Sequence, residues 1–291
     1  MKYKLSVVLA TKNEEENIGD CLRAVKDIAD EIIVVDEYSS DKTCEIARKY
    51  GAKVFESPHH KIFHFSKQKA LDLAKGEWIL QLDADERVTK SLASEIREII
   101  NLSDKEIDAR LKSKFKSKKY RLFLKHQKLL EERDGPIGRE SGGYAGFFIP
   151  RLNFFLGKYL RYGGVYPDGV IRLVKKGKAH FPCKSVHEQI VVNGRVGWLE
   201  NDLLHLADKS FKRYLKRNSY YIDLIAREMG VKKVRKGLLG SFEYFLIKPI
   251  WWFCWTLFRH KGIFDGWQGI VFSFFSALRF PRAYFRHTFK G

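Results

Sequence analysis

Two carboxylates near the middle of the N-terminal half have the type and spacing of ligands for a divalent cation. Asp83 and Asp85 are separated by one alanine and follow the apolar run 78–82. A hard cation such as Mg²⁺ or Mn²⁺ takes one or two carboxylates and leaves positions for water and substrate phosphates. Such an ion would neutralise the charge that builds on a departing diphosphate. The pattern predicts a metal–diphosphate site, and its alternative is a pair of capping or turn residues.

Two further polar groups follow apolar runs earlier in the chain. Asp36 ends the run 31–36, where it could accept hydrogen bonds from a base or ribose, or cap the next turn. Thr11, Asn13 and Glu14 follow the run 5–10, at the point where a strand would meet a helix. Backbone N–H groups at such a point favour phosphate oxygens, and a plain helix N-cap is the alternative.

The elements that must position these side chains alternate along the first 86 residues. The apolar runs are 5–10, 31–36, 52–55 and 78–82, and the segments with helical spacing or helix-capping residues are 17–25, 43–50 and 65–74. This alternation predicts an α/β fold with a doubly wound, mostly parallel sheet. Ligands bind such sheets at the carboxyl ends of the strands, so the polar groups are expected to share one edge.

The formal net charge of +19 indicates an anionic partner: nucleic acid, a membrane surface or a phosphorylated substrate. The sequence has no evident helix-turn-helix motif, and its four cysteines include no C-x-x-C pair that would suggest a zinc site. A basic nucleic-acid-binding protein is therefore the weaker interpretation. A nucleotidyltransferase is also disfavoured, because residues 10–16 lack a glycine-rich, basic phosphate loop.

The second half is basic and then aromatic. Residues 104–133 are rich in Lys and Arg and predict a helix and a mobile loop, and the chain is expected to be helical from residue 211. The apolar segment 238–258 has the length of a spanning helix, but Glu243, Lys248 and Pro249 interrupt it. With the segment 263–280, it favours two in-plane amphipathic helices on an anionic membrane surface. A buried helical pair is the alternative.

Three segments together resemble the nucleotide-binding half of family 2 glycosyltransferases, which are inverting enzymes with the GT-A fold. They read LSVVLATKNEEENIGDCL, EIIVVDEYSSDKTCEIARKYGAKV and FSKQKALDLAKGEWILQLDADE. Over residues 144–220, the segments LRYGGVYPDGVIRLVKKGKAHF, VHEQI and LLHLAD resemble the branch that includes lipopolysaccharide core β-glucosyltransferases.

The resemblance implies a metal-dependent, inverting transfer of a hexose from a nucleotide sugar, with UDP the expected nucleotide. The implied acceptor is lipid-linked or a lipopolysaccharide or other cell-envelope glycan. We expect a peripheral enzyme at the cytoplasmic face of the cell membrane, with Mg²⁺ or Mn²⁺ as cofactor. The expected domains are a GT-A domain at 1–210, divided into a donor half (1–100) and an acceptor half (101–210), and a helical membrane-associating region at 211–291.

The resemblance also assigns roles at matching positions. Thr11, Glu14 and Asp36 would hold the nucleoside, Asp83 the ribose or base, and Asp85 the metal. The full expected donor-binding set is Ala10, Thr11, Asn13, Glu14, Asp36, Lys67, Asp83, Ala84 and Arg172. An inverting transfer needs a base for the acceptor hydroxyl.

Asp168 is the first candidate for this base and Glu188 the second, and a Pro-Asp-Gly turn is the structural alternative for Asp168. His187 and His205 are candidate metal ligands or diphosphate contacts, although a lone histidine is usually structural. Arg172 could contact phosphate or pair with a carboxylate.

Overall fold

A computed structural model describes residues 3–60, 62–139, 141–183, 189–208 and 210–289. The strands are β1 (Leu5–Thr11), β2 (Glu31–Asp36), β3 (Lys53–Glu56), β4 (Trp78–Leu82), β5 (Glu86–Val88), β6 (Tyr144–Phe155), β7 (Lys158–Leu160), β8 (Asp168–Lys175), β9 (Ala179–His180), β10 (Val191–Val192), β11 (Arg195–Trp198) and β12 (Leu203–Asp208). The α-helices are α1 (Ile18–Val25), α2 (Thr43–Lys49), α3 (His64–Leu73), α4 (Lys90–Ile99), α5 (Asp104–Lys114), α6 (Lys118–Asp134), α7 (Phe211–Val231), α8 (Leu238–Phe242), α9 (Lys248–Cys254), α10 (Trp267–Ala277) and α11 (Arg279–Phe289).

The first 82 residues alternate between strand and helix, as the periodicity predicts. Every residue of β1, β2 and β4 is buried, which is typical of strands covered on both faces. Helix α1 buries one apolar stripe, formed by Ile18, Cys21, Leu22 and Val25. The four strands pair in parallel in the order β3-β2-β1-β4, so their carboxyl ends meet at one edge.

The sheet becomes mixed beyond β4. Strand β8 pairs antiparallel with β4, with Trp78 opposite Lys175, and β6 pairs antiparallel with β8. The prediction of a mostly parallel sheet therefore holds for the first four strands but not for the whole sheet, in which antiparallel pairs mix with parallel ones such as β6 with β11. The antiparallel strands bring the start of β8 to the same edge as the end of β4, because Trp78 and Lys175 mark the opposite edge.

The basic stretch 104–133 forms two helices, so the predicted mobile loop is wrong. Ser103 and Glu106 form a capping box at the start of α5, and Ser117 caps α6 by accepting from the backbone N–H of Tyr120. Tyr120 and Phe123 are buried on α6. Because Lys and Arg residues outnumber the few apolar residues of this face, the helical periodicity is weak in the sequence.

The chain divides into two compact units. The first contains Met1–Arg151 and Pro167–His205, and the second contains Leu152–Tyr166 and Leu206–Gly291. The sequence does not predict that residues 152–166 group with the C-terminal helices. The physical reason lies in a shared apolar cluster, in which Phe155 and Leu160 pack with Tyr214 and with partly buried Phe272.

The second unit is helical apart from its short strands. From Leu238, α8, a π-helical turn (Glu243–Ile247), α9 and a second π-helical turn (Trp255–Arg259) follow one another directly. A 3₁₀ turn (Gly262–Asp265) then leads into α10. Among the described residues, no helix combines the length and the apolar character needed to cross a membrane.

Candidate active site

The predicted polar groups meet at the carboxyl edge of the parallel strands. In the register of β1 and β2, Thr11 lies opposite Asp36, and in that of β1 and β4, Leu9 lies opposite Leu82. Asp83 directly follows Leu82, so it emerges at this edge. Chain segments 72 residues apart in sequence are thereby brought to one place.

A cavity of about 360 Å³ opens at this edge. Its lining residues are Ala10, Thr11, Lys12, Glu14, Phe63, Lys67, Asp83, Ala84, Asp85 and His205. Eight of them belong to the predicted site, whereas Lys12 and Phe63 were not predicted. Asn13, Asp36, Arg172 and Asp168 do not line this cavity. His187 and Glu188 lie outside the described residues.

Asp36 is buried behind the cavity wall. Its carboxylate accepts hydrogen bonds from Thr11 Oγ1 at 2.9 Å, from the Ser39 backbone N–H at 2.7 Å and from Ser39 Oγ at 2.6 Å. The bond to Asp36 fixes the side chain of Thr11, a residue of the cavity lining. The turn-capping role is therefore present in the structure, and a contact between Asp36 and a nucleoside stays a prediction.

The loop after β1 is tied to the loop after β2. Asn13 has a left-handed backbone (φ 53°), and its backbone N–H donates to Ser39 Oγ at 2.8 Å. The backbone N–H of Glu14 donates to Thr43 Oγ1 at 2.7 Å. These amides thus have protein acceptors, which differs from the phosphate contact that the sequence suggested. Glu14 is nevertheless one of the residues that line the cavity.

Asp83 is paired with two cations. Lys67 Nζ lies 2.6 Å from its Oδ1, and Arg172 Nη2 bonds its Oδ2. Burial would raise the pKa of Asp83, but the charges of Arg172 and Lys67 outweigh burial and hold this pKa well below the usual range. Asp83 is therefore an ionised carboxylate whose two oxygens both have cationic partners.

Asp85 and His205 lie beside each other in the lining of the cavity. His205 Nε2 lies 3.6 Å from Asp85 Oδ2, and their side chains are 14% and 16% exposed. The described residues contain no group of three or more His, Cys, Asp or Glu arranged to hold a metal. One carboxylate and one imidazole nevertheless fit a cation that takes its other ligands from water and phosphates. Because cations already pair with Asp83, the fit favours Asp85 with His205 over the two aspartates together.

Glu86 links this site to β6 and β8. It is fully buried, and its Oε1 lies 2.8 Å from Arg172 Nη2 and 3.3 Å from Arg151 Nη1. Burial would lower the pKa of Arg172, but Asp83 and Glu86 outweigh burial and raise this pKa. Of the two alternatives for Arg172, the structure thus shows the pairing with carboxylates. Sequence analysis missed Glu86, although it directly follows Asp85, and no sequence signal marked Arg151.

Asp168 lies at the start of β8, opposite Arg151 on β6. Its Oδ2 accepts from Arg151 Nε at 3.0 Å and from Arg151 Nη2 at 2.6 Å, and the side chain is 34% exposed. A chain of ion pairs, through Arg151, Glu86 and Arg172, connects Asp168 to Asp83. The role of Asp168 as a base stays a prediction.

Comparisons with known proteins point to one family of enzymes. The family model described as glycosyl transferase family 2 matches residues 6–159, slightly more than half of the chain. An uncharacterized glycosyltransferase of Rickettsia typhi is 28% identical, over 96% of this chain and 85% of its own length. The lipopolysaccharide core biosynthesis glycosyltransferase LpsC of Rhizobium meliloti is 24% identical, over 100% of this chain and 95% of its own length.

Among solved structures, a likeness is found to glucosyl-3-phosphoglycerate synthase from Mycobacterium tuberculosis in complex with Mn²⁺, UDP and glucosyl-3-phosphoglycerate. It has 26% identity and a TM-score of 0.27, and it covers 29% of this chain and 34% of the solved chain. A likeness this partial carries no argument about the donor or the metal.

Proposed function

Because this chain belongs to glycosyl transferase family 2 and is a glycosyltransferase of the GT-A-like fold, we propose that it transfers a hexose from a nucleotide sugar with inversion. The expected donor is a UDP-sugar, and the proposed acceptor is a lipid-linked or lipopolysaccharide glycan. Family membership supports the transferase chemistry. The similarity to LpsC along the whole chain supports an acceptor from the cell envelope.

The observation that carries the proposal is that the two aspartates of Asp83-Ala84-Asp85 have different neighbours. Asp83 is held by Lys67 and Arg172, whereas Asp85 and His205 line the cavity beside each other. A cation-paired carboxylate is suited to accept hydrogen bonds from ribose or base, since its orientation is fixed. A carboxylate beside an imidazole is suited to hold a divalent cation next to a diphosphate.

In the proposed reaction, an acceptor hydroxyl oxygen forms a bond to the anomeric carbon while the bond from that carbon to the diphosphate oxygen breaks. Mg²⁺ or Mn²⁺, held by Asp85 and His205, would supply positive charge for the departing diphosphate. Lys67 would add a second positive charge at the cavity wall. The hydroxyl proton passes to a carboxylate, Asp168 as the first candidate or Glu188 as the second.

We also propose that the enzyme is peripheral at the cytoplasmic face of the cell membrane. The second unit supports this, because its helices leave many large apolar side chains exposed. Those above 50% exposure in residues 238–289 are Leu238, Leu239, Phe242, Ile247, Ile250, Trp251, Phe258, Phe264, Trp267 and Phe289. Exposed apolar surface of this extent marks an interaction site, and the basic residues among it suit an anionic membrane.

The test of the donor site is a thermal-shift titration with UDP, Mn²⁺ and both together. We expect UDP with Mn²⁺ to raise the unfolding temperature of the protein, and Asp85→Asn to remove the Mn²⁺-dependent part. Asp20→Asn is the matched control, because this aspartate is exposed, pairs with Arg23 at 2.7 Å and does not line the cavity. An Asp85→Asn protein that keeps the full Mn²⁺ effect would exclude Asp85 as a metal ligand.

A further inference from the structure

The turn between the two apolar helical segments has an unusual surface. We call residues 258–267 the hairpin tip. Its exposed apolar side chains are Phe258 (61%), Ile263 (46%), Phe264 (66%) and Trp267 (57%). The basic side chains Arg259, His260 and Lys261 are exposed beside them. The tip thus combines large apolar groups with positive charge over ten residues.

The acidic side chain of the tip is turned away from this surface. Residues 244–291 contain seven Lys and Arg residues and a single acid, Asp265. Asp265 is only 2% exposed, and its carboxylate accepts from the backbone N–H groups of Arg161 at 3.1 Å and Tyr162 at 2.8 Å. Within the described residues 244–289, the exposed side chains of the tip therefore include basic groups and no acidic one.

The same bonds fasten a second segment to the tip. The backbone N–H of Gly163 donates to the carbonyl oxygen of His260 at 2.9 Å, and the ring centroids of Tyr162 and Phe264 lie 5.8 Å apart. Arg161 and Tyr162 are both exposed. Their side chains consequently extend the aromatic and basic surface of the tip, and Asp265 holds the two segments together.

We infer that the hairpin tip inserts into the headgroup layer of an anionic phospholipid bilayer, with Phe264 and Trp267 as the apolar anchors. This inference rests on the proposed membrane location and assigns it to one surface. Aromatic side chains favour the membrane interface, and each Lys or Arg near an anionic surface contributes on the order of 1 kcal/mol. Charge complementarity selects anionic lipid as the partner.

A second copy of the chain is a poorer partner for this surface. A two-fold interface brings the same patch of both copies together, so the basic patch that contains Arg259 and Lys261 would face the basic patch of the second copy. Like charges in contact without a carboxylate repel one another. The phosphate groups of a bilayer would instead attract these basic side chains.

The test is sedimentation of the full-length protein with vesicles of phosphatidylcholine, alone or mixed with phosphatidylglycerol. Phe264→Ser with Trp267→Ser should lower the partition coefficient onto mixed vesicles about 10- to 100-fold, as expected when two large side chains lose partial burial. The matched control is Ile250→Ser with Trp251→Ser, two residues of similar exposure (61% and 52%) outside the tip. The control should change the coefficient about threefold or less.

The charge is tested separately by Arg259→Gln with Lys261→Gln. Loss of two headgroup-facing charges should reduce binding to mixed vesicles about 30-fold and leave binding to pure phosphatidylcholine unchanged. Unfolding temperatures and the UDP shift of each variant show that the fold and the donor site are intact.

The outcomes separate the inference from the proposals on which it rests. Equal losses for the tip and control variants, or a larger loss for the control, would overturn the tip as anchor and leave the membrane location standing. If the wild-type protein binds neither kind of vesicle, both the membrane location and the role of the tip as anchor are overturned. Neither result affects the donor site, which the UDP titration tests. A dimer in sedimentation velocity that tip variants dissociate, without vesicle binding, would identify a second copy as the partner instead.

Discussion

Removing the charge of Glu86 should destabilise the protein far more than removing the charge of a similar residue at the surface. Glu86 is fully buried between two guanidinium groups, 2.8 Å from Arg172 and 3.3 Å from Arg151. Glu86→Gln keeps the shape of the side chain but leaves the two buried cations with less negative charge between them. The backbone N–H of Asp83, which donates to Glu86 Oε2 at 3.0 Å, also loses a charged acceptor.

The magnitude follows from the burial. Removing one partner from a buried ion pair costs about 3–5 kcal/mol, because the remaining charge is left uncompensated. The amide oxygen of Gln can still accept one bond, so we expect about 3 kcal/mol for Glu86→Gln. At roughly 2–4 °C for each kcal/mol in a chain of this size class, the unfolding temperature should fall by about 6–12 °C.

The control is Glu77→Gln. It is the same substitution at the residue that precedes β4, whereas Glu86 comes after this strand. Glu77 is one-third exposed and lies 3.0 Å from Lys4, so its loss should cost about 1 kcal/mol or less. Urea unfolding of both variants, followed by circular dichroism, measures the two free energies. If Glu86→Gln lost no more stability than Glu77→Gln, the buried network would not carry the energy assigned to it.

Two further predictions concern catalysis and pH. Asp168→Asn should lower the rate of sugar transfer by about 100-fold or more with little change in donor affinity, because a general base acts in the chemical step. If Asp168→Asn keeps its transfer rate and Glu188→Gln loses it, Glu188 is the base instead. Burial would raise the pKa of Glu31, but its bonds to Ser6, the Lys75 amide and Lys53 outweigh burial and lower this pKa. Wild type should therefore be more stable than Glu31→Gln above about pH 5, and urea unfolding should show this advantage shrinking as pH falls below about 4; a constant difference would contradict the assignment.

The first 86 residues of the fold could be predicted from the sequence because their signals are local. Short apolar runs mark β1, β2 and β4, and the helices between them make the strands parallel. The carboxyl ends then share an edge without any knowledge of long-range pairing. Asp83 and Thr11 could be placed together on this basis, and Lys67 followed from the family resemblance.

The rest of the site depends on pairings that no local pattern encodes. Arg151 meets Asp168 only because β6 and β8 are antiparallel in one register, which shifts between Phe147 and Phe148. Glu86 pairs with Arg151 and Arg172, which lie on β6 and β8, so its place in the site depends on how these strands pair. The tie between the first two loops likewise depends on Ser39 and Thr43 across the sheet edge, which is why the amides of Asn13 and Glu14 seemed available to phosphate.

The discontinuity of the second unit limits how the enzyme can be dissected. A truncated protein that stops at residue 205 would keep Phe155 and Leu160, each 2% exposed in the intact chain, without the aromatic neighbours Tyr214 and Phe272. Newly uncovered side chains of this size favour aggregation. If a protease cuts the intact protein at residue 205, residues 152–166 of the N-terminal piece should stay packed against the helices of the C-terminal piece. The two pieces should therefore co-elute until a denaturant separates them.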